Sequence, residues 1–324
     1  MKNWKTITHL CLAALFALLA GCQNARDVPT VGFVDGFEDS TLEQAKTGFL
    51  AALKEAGFSE EAHTINLIYR NAQGDIPTLT QIVRYNISQK VTLLATNATL
   101  PTITALQNTS DIPVFMMVAP TPDMMKLGGN NTDGPANLYG VADNQEYIDT
   151  SFALISTLVK PRGAQLRIGL LYNQSEPQSV EAYTRLQRLA GALGVELVAR
   201  SVSTTADAQL VAAALLNENI DAFFANPDNV VFGAFETIIK ACNDAQVPVF
   251  TSEAGLVSRG AVAAYGADIY QWGYQAGRQA AQFLKTKSLD GLKWEMVKVR
   301  KHVFNPESAK RFGITVPGNY QALQ

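Results

Sequence analysis

Short apolar segments alternate with amphipathic ones along most of this chain, and this alternation constrains its fold more than any other feature. In the first half the apolar segments are TVGFV (30–34), INLIY (65–69), VTLLAT (91–96) and IPVFMMV (112–118). Between them, residues 40–57, 75–88 and 99–109 have the apolar spacing of helices. Strands that alternate with helices in this way form βαβ units. The sequence therefore predicts an α/β fold with a parallel sheet.

The second half repeats the same order. The predicted strands are residues 166–172, 195–202, 221–225 and 247–250, and the predicted helices are 175–193, 205–217 and 229–245. The first helix of each half runs to a glycine, in ALKEAGF and LAGALGV, and the fourth strands begin alike, in DIPVF and QVPVF. A chain of 324 residues has room for two domains of ordinary size. We expect two similar lobes with a cleft between them.

The amino terminus has the pattern of an export signal. Lys2 and Lys5 precede an unbroken apolar run from Leu10 to Ala20, which is shorter than the ~20 residues that span a bilayer. The residues Leu-Ala-Gly-Cys that end at Cys22 resemble a bacterial lipobox, in which the cysteine is diacylated. This predicts a lipoprotein signal peptide over 1–21, a tether over 22–29 and an extracytoplasmic protein held on the membrane by lipid. The alternative is an ordinary signal with an incidental cysteine.

Charge and cysteine content exclude several classes of partner. Removing Lys2 and Lys5 with the signal leaves 24 basic and 29 acidic residues, a net charge of −5, without a basic cluster. This balance argues against a nucleic-acid partner and against electrostatic binding to acidic lipids. After loss of Cys11 and lipidation of Cys22, Cys242 is the remaining thiol, so an intrachain disulfide is not expected. We expect Cys242 to be a buried apolar residue.

Polar and helix-capping residues follow several predicted strands. These segments are ATNAT (95–99), YNQSEPQS (172–179), NPDN (226–229) and TSEA (251–254). In parallel sheets ligands bind at the carboxyl ends of the strands, where helix N-termini offer free N–H groups. Two interpretations stay open for Ser175, Asp228 and Ser252: they cap helices, or they share in a ligand-binding surface.

Five segments in order resemble one known family. They are NAQGD (71–75), NLYGVAD (137–143), IGLLYNQSEPQSV (168–180), DAFFANPDNVV (221–231) and GAVAAYGADIYQWGYQAGRQAAQFL (260–284). Together they resemble the tryptophan/tyrosine-type substrate-binding lipoproteins of ABC transporters. The resemblance implies a type I periplasmic-binding-protein fold, with two doubly wound parallel-sheet lobes joined by a hinge. It also implies capture of a small amino-acid-like ligand, an ABC permease as partner, and a monomer.

The resemblance also implies the lobe boundaries and the binding residues. The N-terminal lobe would comprise 30–143 plus 266–288, and the C-terminal lobe 144–265 plus 289–324. Thr96 to Thr99 resemble the family's TPAA helix start, which faces the ligand carboxylate, although Asn97 replaces the proline. The ligand-binding residues expected from these matches and their neighbours are Thr96, Asn97, Ala98, Thr99, Tyr172, Ser175, Glu176, Asp228, Asn229, Ser252 and Glu253.

These side chains suit a ligand with one positive and one negative charge. Helix N-termini and the hydroxyls of Thr96, Thr99 and Ser175 are suited to a carboxylate. Asp228 is the expected partner of the ammonium, with Glu253 as the competing candidate. An aromatic wall formed by Phe33, Phe37, Tyr172 and Tyr265 is an open alternative to ordinary packing. At 37–43 the sequence FEDSTLE departs from the family's usual turn, which leaves the ligand's side chain undetermined.

Two rival functions remain at this point. The chain contains no strand-linked G-x-G-x-x-G, Walker loop, G-x-S-x-G or H-E-x-x-H motif, so we expect neither catalysis nor a cofactor or metal. Asp228 and Glu253 would be the carboxylate pair of a cleft hydrolase if there were one. A sugar or nucleoside receptor of the same fold is the second alternative, because a fold does not determine its ligand.

Overall fold

A computed structural model describes residues 28–127 and 133–323. The predicted signal peptide, the predicted lipidation site Cys22 and most of the predicted tether lie outside these residues. Within them, no helix combines the length and the apolar character that a membrane span requires.

The first part of the chain alternates strands and helices as the sequence predicts. Helix α1 starts where the side chain of Asp39 accepts hydrogen bonds from the N–H groups of Thr41 and Leu42, as expected of a good N-cap. In chain order the elements are β1 (Thr30–Asp35), α1 (Ser40–Glu55), β2 (Asn66–Ile68), α2 (Ile76–Ser88), β3 (Leu93–Asn97), α3 (Thr99–Asn108), β4 (Val114–Pro120) and β5 (Leu138–Asp143).

The rest of the chain repeats this alternation and adds short strands at the end. The elements are α4 (Tyr147–Leu158), β6 (Arg167–Tyr172), α5 (Pro177–Leu193), β7 (Glu196–Ser201), α6 (Thr205–Leu216), β8 (Ala222–Ala225), α7 (Asn229–Gly233), α8 (Phe235–Asp244), β9 (Val249–Thr251), α9 (Ala254–Ser258), β10 (Ala263–Ala267), α10 (Ile269–Thr286), β11 (Glu295–Met296), β12 (Arg300–Phe304), α11 (Pro306–Arg311) and β13 (Gln321–Ala322).

The strands form two parallel sheets and one small mixed sheet in the part of the chain that the structure describes. The first sheet has the order β11-β5-β4-β3-β1-β2 and the second the order β7-β6-β8-β9. Strands β10, β12 and β13 form the third sheet, in which β10 and β12 are antiparallel. Helices cover the faces of both parallel sheets, and strand order reverses within each sheet. This confirms the predicted α/β fold with two doubly wound lobes.

The chain passes between the two lobes three times within residues 28–127 and 133–323. These crossings are residues 143–147, between β5 and α4, 267–269, between β10 and α10, and 296–300, between β11 and β12. Helix α10 packs on α1, β4 and β5 of the first lobe, whereas α4 packs on α5, β9 and β10 of the second. Strand β11 pairs with β5 in the first sheet, although the sequence assignment placed 289–324 wholly in the second lobe.

Most elements lie within two residues of their predicted positions, and one helix is divided. The segment 229–245 forms two helices, α7 and α8, which meet at Ala234. Strands β11 and β13 were not predicted, and β5 and β10 were quoted only as parts of the resemblance. Cys242 is fully buried, as predicted, and burial raises the pKa of its thiol to about 12.

Two glycines of helix α10 permit its close packing on α1. A Cβ atom on Gly273 would lie 1.8 Å from the carbonyl oxygen of Ala45 in α1, and one on Gly277 would lie 2.5 Å from that of Phe49. These distances are far below van der Waals contact, so the approach of α10 to α1 requires glycine at both positions. This packing fixes Trp272, which lies on the same helix, against the carboxyl end of the first sheet.

Candidate functional site

A cavity lies between the two lobes, at the carboxyl ends of both parallel sheets. Its volume is ≈ 40 Å³, which is room for a few water molecules. In α/β sheets this edge is the usual ligand site. The first lobe contributes Leu42, Ala98, Thr99, Val118, Ala119, Pro120, Asp143 and Trp272 to the lining, and the second contributes Tyr147, Gln178, Pro227, Asp228, Asn229, Phe232 and Glu253, with Gln145 on the crossing between them.

The start of α3 forms part of the first-lobe wall. The residue before the helix is Ala98, with φ 75° and ψ 177°, a conformation that residues other than glycine rarely adopt. An alanine offers no side-chain oxygen, and no side chain in the described ranges caps this helix. Its first N–H groups and the adjacent Thr99 therefore border the cavity without a protein cap, an arrangement suited to an anion.

Thr96 and Asn97 lie behind this wall and do not line the cavity. The hydroxyl of Thr96 is 2.8 Å from that of Thr102. The side-chain amide of Asn97 donates to the carbonyl oxygen of Leu42 over 3.0 Å. Because Leu42 lines the cavity, Asn97 positions the start of α1 rather than contacting the cavity itself.

Asp228 lies in the second-lobe wall, and its carboxylate already accepts three hydrogen bonds from its own lobe. One oxygen accepts from the N–H of Val231, which makes Asp228 the N-cap of α7. The other accepts from the N–H of Asn173 and the hydroxyl of Ser179, each over 2.6 Å. Capping is therefore the role that its contacts define, and the ammonium role remains a prediction.

Glu176 lies beside Asp228 and is fully buried. Its carboxylate accepts from the side chain of Gln178 and, over 3.1 Å, from the N–H of Asn229. Burial, together with the nearby Asp228, raises the pKa of Glu176 to about 8. This carboxyl group therefore holds Gln178 and Asn229, both of which line the cavity, and is itself one step removed from it.

Glu253 is the carboxyl group with an unused oxygen at the cavity. The hydroxyl of Tyr147 donates to Oε1 over 2.7 Å, while Oε2 is buried and has no hydrogen-bond partner among the described residues. Burial raises the pKa of Glu253 to about 8. Such a group is stabilised in its charged form if a cation is placed against it.

A chain of contacts joins Glu253 to the crossings between the lobes. The guanidinium of Arg300 lies 4.6 Å from the centre of the Tyr147 ring and forms an ion pair with Asp143. The second oxygen of Asp143 accepts from the N–H of Gln145 over 2.5 Å. Burial raises the pKa of Asp143 to about 6 despite the neighbouring Arg300.

Unpartnered polar atoms are concentrated around this cavity. In residues 28–127 and 133–323, buried side-chain atoms without a hydrogen bond include two amide oxygens, one carboxylate oxygen, one amide nitrogen and one guanidinium nitrogen here. The first four belong to Gln145, Gln178, Glu253 and Asn229, which line the cavity, and the guanidinium nitrogen belongs to Arg300, which lies against the ring of the lining residue Tyr147. Because buried polar groups are nearly always satisfied, a set of this size at one cavity suits polar contents, either water or a polar ligand.

The aromatic residues at the cavity differ from those proposed from sequence. Phe33 is fully buried in the core of the first lobe, Tyr172 stacks on Tyr183, and Tyr265 stacks on His302. Phe37 packs on the apolar core of the second lobe. None of these four residues lines the cavity, so they do not form the suggested wall. The aromatic residues that do line it are Tyr147, Phe232 and Trp272.

The remaining predicted residues lie at different depths. Ala98, Thr99, Asp228, Asn229 and Glu253 line the cavity, Glu176 supports it, and Ser252 is buried next to Glu253 with its hydroxyl unpartnered in the described part of the chain. Ser175 is exposed and does not line it. Sequence reasoning missed Gln145, Tyr147, Gln178 and Arg300, although Gln178 stands in the quoted YNQSEPQS segment.

Comparison with known proteins identifies the family. The family of ABC transporter substrate binding proteins matches residues 30–323. The chain is 29% identical over 326 residues to a tyrosine-binding protein of Clostridioides difficile strain R20291, covering 96% of this chain and 93% of that protein.

Solved structures agree in fold. A conserved domain protein from Vibrio cholerae has a TM-score of 0.82 and 28% identity, covering 91% of this chain and 99% of the other. An ABC domain from Streptococcus pneumoniae in complex with L-Trp has a TM-score of 0.80 and 22% identity, covering 90% and 96% of the two chains. Because the family match spans nearly the whole described sequence, the chain belongs to the ABC transporter substrate-binding proteins, which work outside the cytoplasm.

Proposed function

We propose that this protein binds a free amino acid in the cavity between its lobes and delivers it to an ABC permease without chemical change. The observation that carries the proposal is the set of unpartnered polar atoms at the cavity, which combines hydrogen-bond acceptors and donors in the proportions that a zwitterion needs.

The acceptors fit an ammonium group. They are Oε2 of Glu253 and the amide oxygens of Gln145 and Gln178. An ammonium has three N–H donors, so one such group satisfies all three acceptors. Hydrogen bonds from their nitrogens support the orientation of both side-chain amides. The nitrogen of Gln145 donates to the backbone carbonyl of Gln178, and the nitrogen of Gln178 donates to the carboxylate of Glu176. We therefore place the ammonium against Glu253 rather than Asp228.

The donors fit a carboxylate. The uncapped start of α3 offers backbone N–H groups and the partial positive charge of a helix N-terminus, and Thr99 adds a hydroxyl. On the facing lobe, the side-chain nitrogen of Asn229 is buried and has no partner in the described ranges. A carboxylate between α3 and Asn229 would contact both lobes, so binding would hold them together.

The apolar lining favours a large side chain. Leu42, Val118 and Phe232 supply aliphatic and aromatic surface, and Tyr147 and Trp272 supply two more rings. Aromatic ligands pack well against such surfaces. The similarity to a tyrosine-binding protein supports the same choice. We propose an aromatic amino acid as the ligand.

Entry of such a ligand requires the lobes to separate. A cavity of ≈ 40 Å³ holds a few water molecules and cannot admit an amino acid as it stands. The three crossings of the chain provide a hinge, and we propose that lobes 30–143 and 144–265, with their later segments, rotate about it.

Calorimetry with matched ligands tests the proposal. We expect L-tyrosine or L-tryptophan to bind, whereas tyramine, which lacks the carboxylate, and 3-(4-hydroxyphenyl)propionate, which lacks the ammonium, should bind at least about 30-fold more weakly. Glucose, ribose and a nucleoside serve as controls. Tight binding of a sugar, or equal binding of tyramine and tyrosine, would refute the amino-acid assignment.

We also propose that Cys22 carries a lipid anchor and that the protein acts as a monomer. The lipobox-like sequence supports the anchor. Thr30, the start of β1, is eight residue-to-residue steps after Cys22, which allows a fully extended reach of roughly 27 Å. The first lobe would thus stay close to the membrane that holds the permease.

A further inference from the structure

We propose that Arg259 is an affinity-determining residue that locks the two lobes together at a site outside the ligand cavity. Arg259 follows α9 in the second lobe. It lies opposite the start of α1 in the first lobe, and it does not line the cavity.

The second lobe holds one side of the guanidinium in place. Nε and Nη2 of Arg259 donate to the two carboxylate oxygens of Glu236 in α8 over 2.8 and 2.9 Å. Nη2 also donates to the carbonyl oxygen of Phe232 over 3.0 Å. The Phe235 ring lies under the group, 5.2 Å from its central carbon. All these partners are in the second lobe, so they orient Arg259 whether or not the lobes are closed.

The other side of the guanidinium contacts the first lobe. Nη1 donates to Oδ2 of Asp39 over 2.6 Å and to the hydroxyl of Thr41 over 2.8 Å. An arginine has five N–H donors, and these five contacts use all of them. Lysine has a single nitrogen and cannot make the same planar set. The contact therefore depends on arginine and not on positive charge alone.

The contact is buried, which gives it energetic weight. The side chain of Asp39 is 1% exposed and that of Arg259 is 13% exposed. Buried ion pairs are screened by salt much less than exposed ones. Oδ1 of Asp39 caps α1, which leaves Oδ2 free for the arginine. Nearby, Gly255 of α9 packs directly on Thr41, so this part of the interface between the lobes is closely packed.

Because the partners are in different lobes, separation of the lobes breaks the contact. The contact of Arg259 with Asp39 and Thr41 therefore favours the closed state without touching the ligand. Loss of this contact should appear mainly as faster ligand dissociation. The carbonyl of Phe232, whose side chain lines the cavity, ties the same arginine to the cavity wall.

The test compares Arg259→Gln, Arg259→Lys and Asp39→Asn with wild type. Asparagine caps helices as well as aspartate, so Asp39→Asn keeps α1 intact while removing the ion pair. We expect Arg259→Gln to raise the Kd about 30-fold or more, mainly through the dissociation rate, and Arg259→Lys not to rescue it. In the double variant with Asp39→Asn the Kd should rise little beyond that of Arg259→Gln. Arg200→Lys, which alters an ion pair within the second lobe, is the matched control and should not change the Kd.

Small-angle scattering of the ligand-free protein tests the lock by itself. The affinity measurement, in contrast, rests on the proposed ligand. We expect a larger radius of gyration for ligand-free Arg259→Gln than for ligand-free wild type. If no amino acid binds, the proposed function fails and scattering alone decides: equal radii then overturn the lock. If a ligand is found, equal radii and equal affinities, or strictly additive effects of the two single changes, overturn it.

Discussion

Gly255 offers a direct test of whether affinity depends on closure. It lies in α9, and a Cβ atom at this position would lie 2.5 Å from Cγ2 of Thr41 in the opposite lobe. Ordinary contacts of a Cβ atom are about 3.4 Å or longer. Gly255→Ala should therefore force the two lobes apart by about 0.9 Å at this point, because the clash is between lobes and not within one.

The size of the effect follows from the cost of overpacking. Inserting a methyl group into a closely packed region costs about 1–3 kcal/mol. If the closed state alone bears this cost, the Kd of the ligand rises about 5- to 150-fold. The open protein should not be destabilised, since alanine within a helix is favoured over glycine by about 0.5–1 kcal/mol. We thus expect weaker binding without unfolding of the ligand-free protein in thermal melts.

Thr41→Ser supplies the control for this experiment. It removes the methyl group at 2.5 Å and keeps the hydroxyl that Arg259 binds, leaving the next atoms at 3.1 and 3.2 Å. Calorimetry should show that adding Thr41→Ser to Gly255→Ala recovers most of the lost affinity. An unchanged Kd for Gly255→Ala, or an equal loss in the double variant, would refute the reasoning.

Three further predictions concern charge and anchoring. Calorimetry should show that Glu253→Gln raises the ligand Kd about 30-fold to several thousand-fold, since it leaves the ammonium buried without a negative partner. Asp228→Asn should mainly lower the melting temperature, because an amide nitrogen would face the N–H of Asn173 or the hydroxyl of Ser179, which are themselves donors. In thermal melts the stability of the ligand-free protein should fall as the pH rises from about 5 to 8. The reason is that Glu176 and Glu253 keep their protons up to a pKa of about 8 in the folded protein, whereas the unfolded chain releases them near 4.5. Glu253→Gln should make this fall less steep, and an unaltered slope would exclude Glu253 as its source. Cys22→Ser should abolish acyl labelling, whereas Cys11→Ser should not, and labelling that persists without Cys22 would disprove the anchor.

The parallel strands were predictable because each is a short apolar run bounded by turn residues. Residues 166–172 and 221–225, for example, are almost wholly apolar and became the buried strands β6 and β8. The final strands were not predictable in the same way. Residues 295–296 and 321–322 are two-residue strands, and their pairing depends on where the chain returns to each lobe.

The candidate site was predictable where its residues follow strand ends, but not where they lie on or beside the crossings between the lobes. Thr99 and Asn229 come directly after or near strands, so topology alone places them at the cavity. Arg300 lies 157 residues from its partner Asp143 along the chain, and no local pattern links the two. The role of Asp228 also depended on contacts with Asn173 and Ser179 that the sequence does not reveal.

The three crossings between the lobes determine which motions remain available. One connection would let the lobes tumble freely and two would allow twisting, whereas three connections side by side leave a single rotation about the line that joins them. Groups on that axis keep their neighbours during the rotation. Asp143 and Arg300 flank two of the crossings, so their ion pair should persist in both states, and Tyr147 with it. The end of the site proposed to bind the ammonium would then be assembled before any ligand arrives, and the swinging lobe would complete only the opposite end.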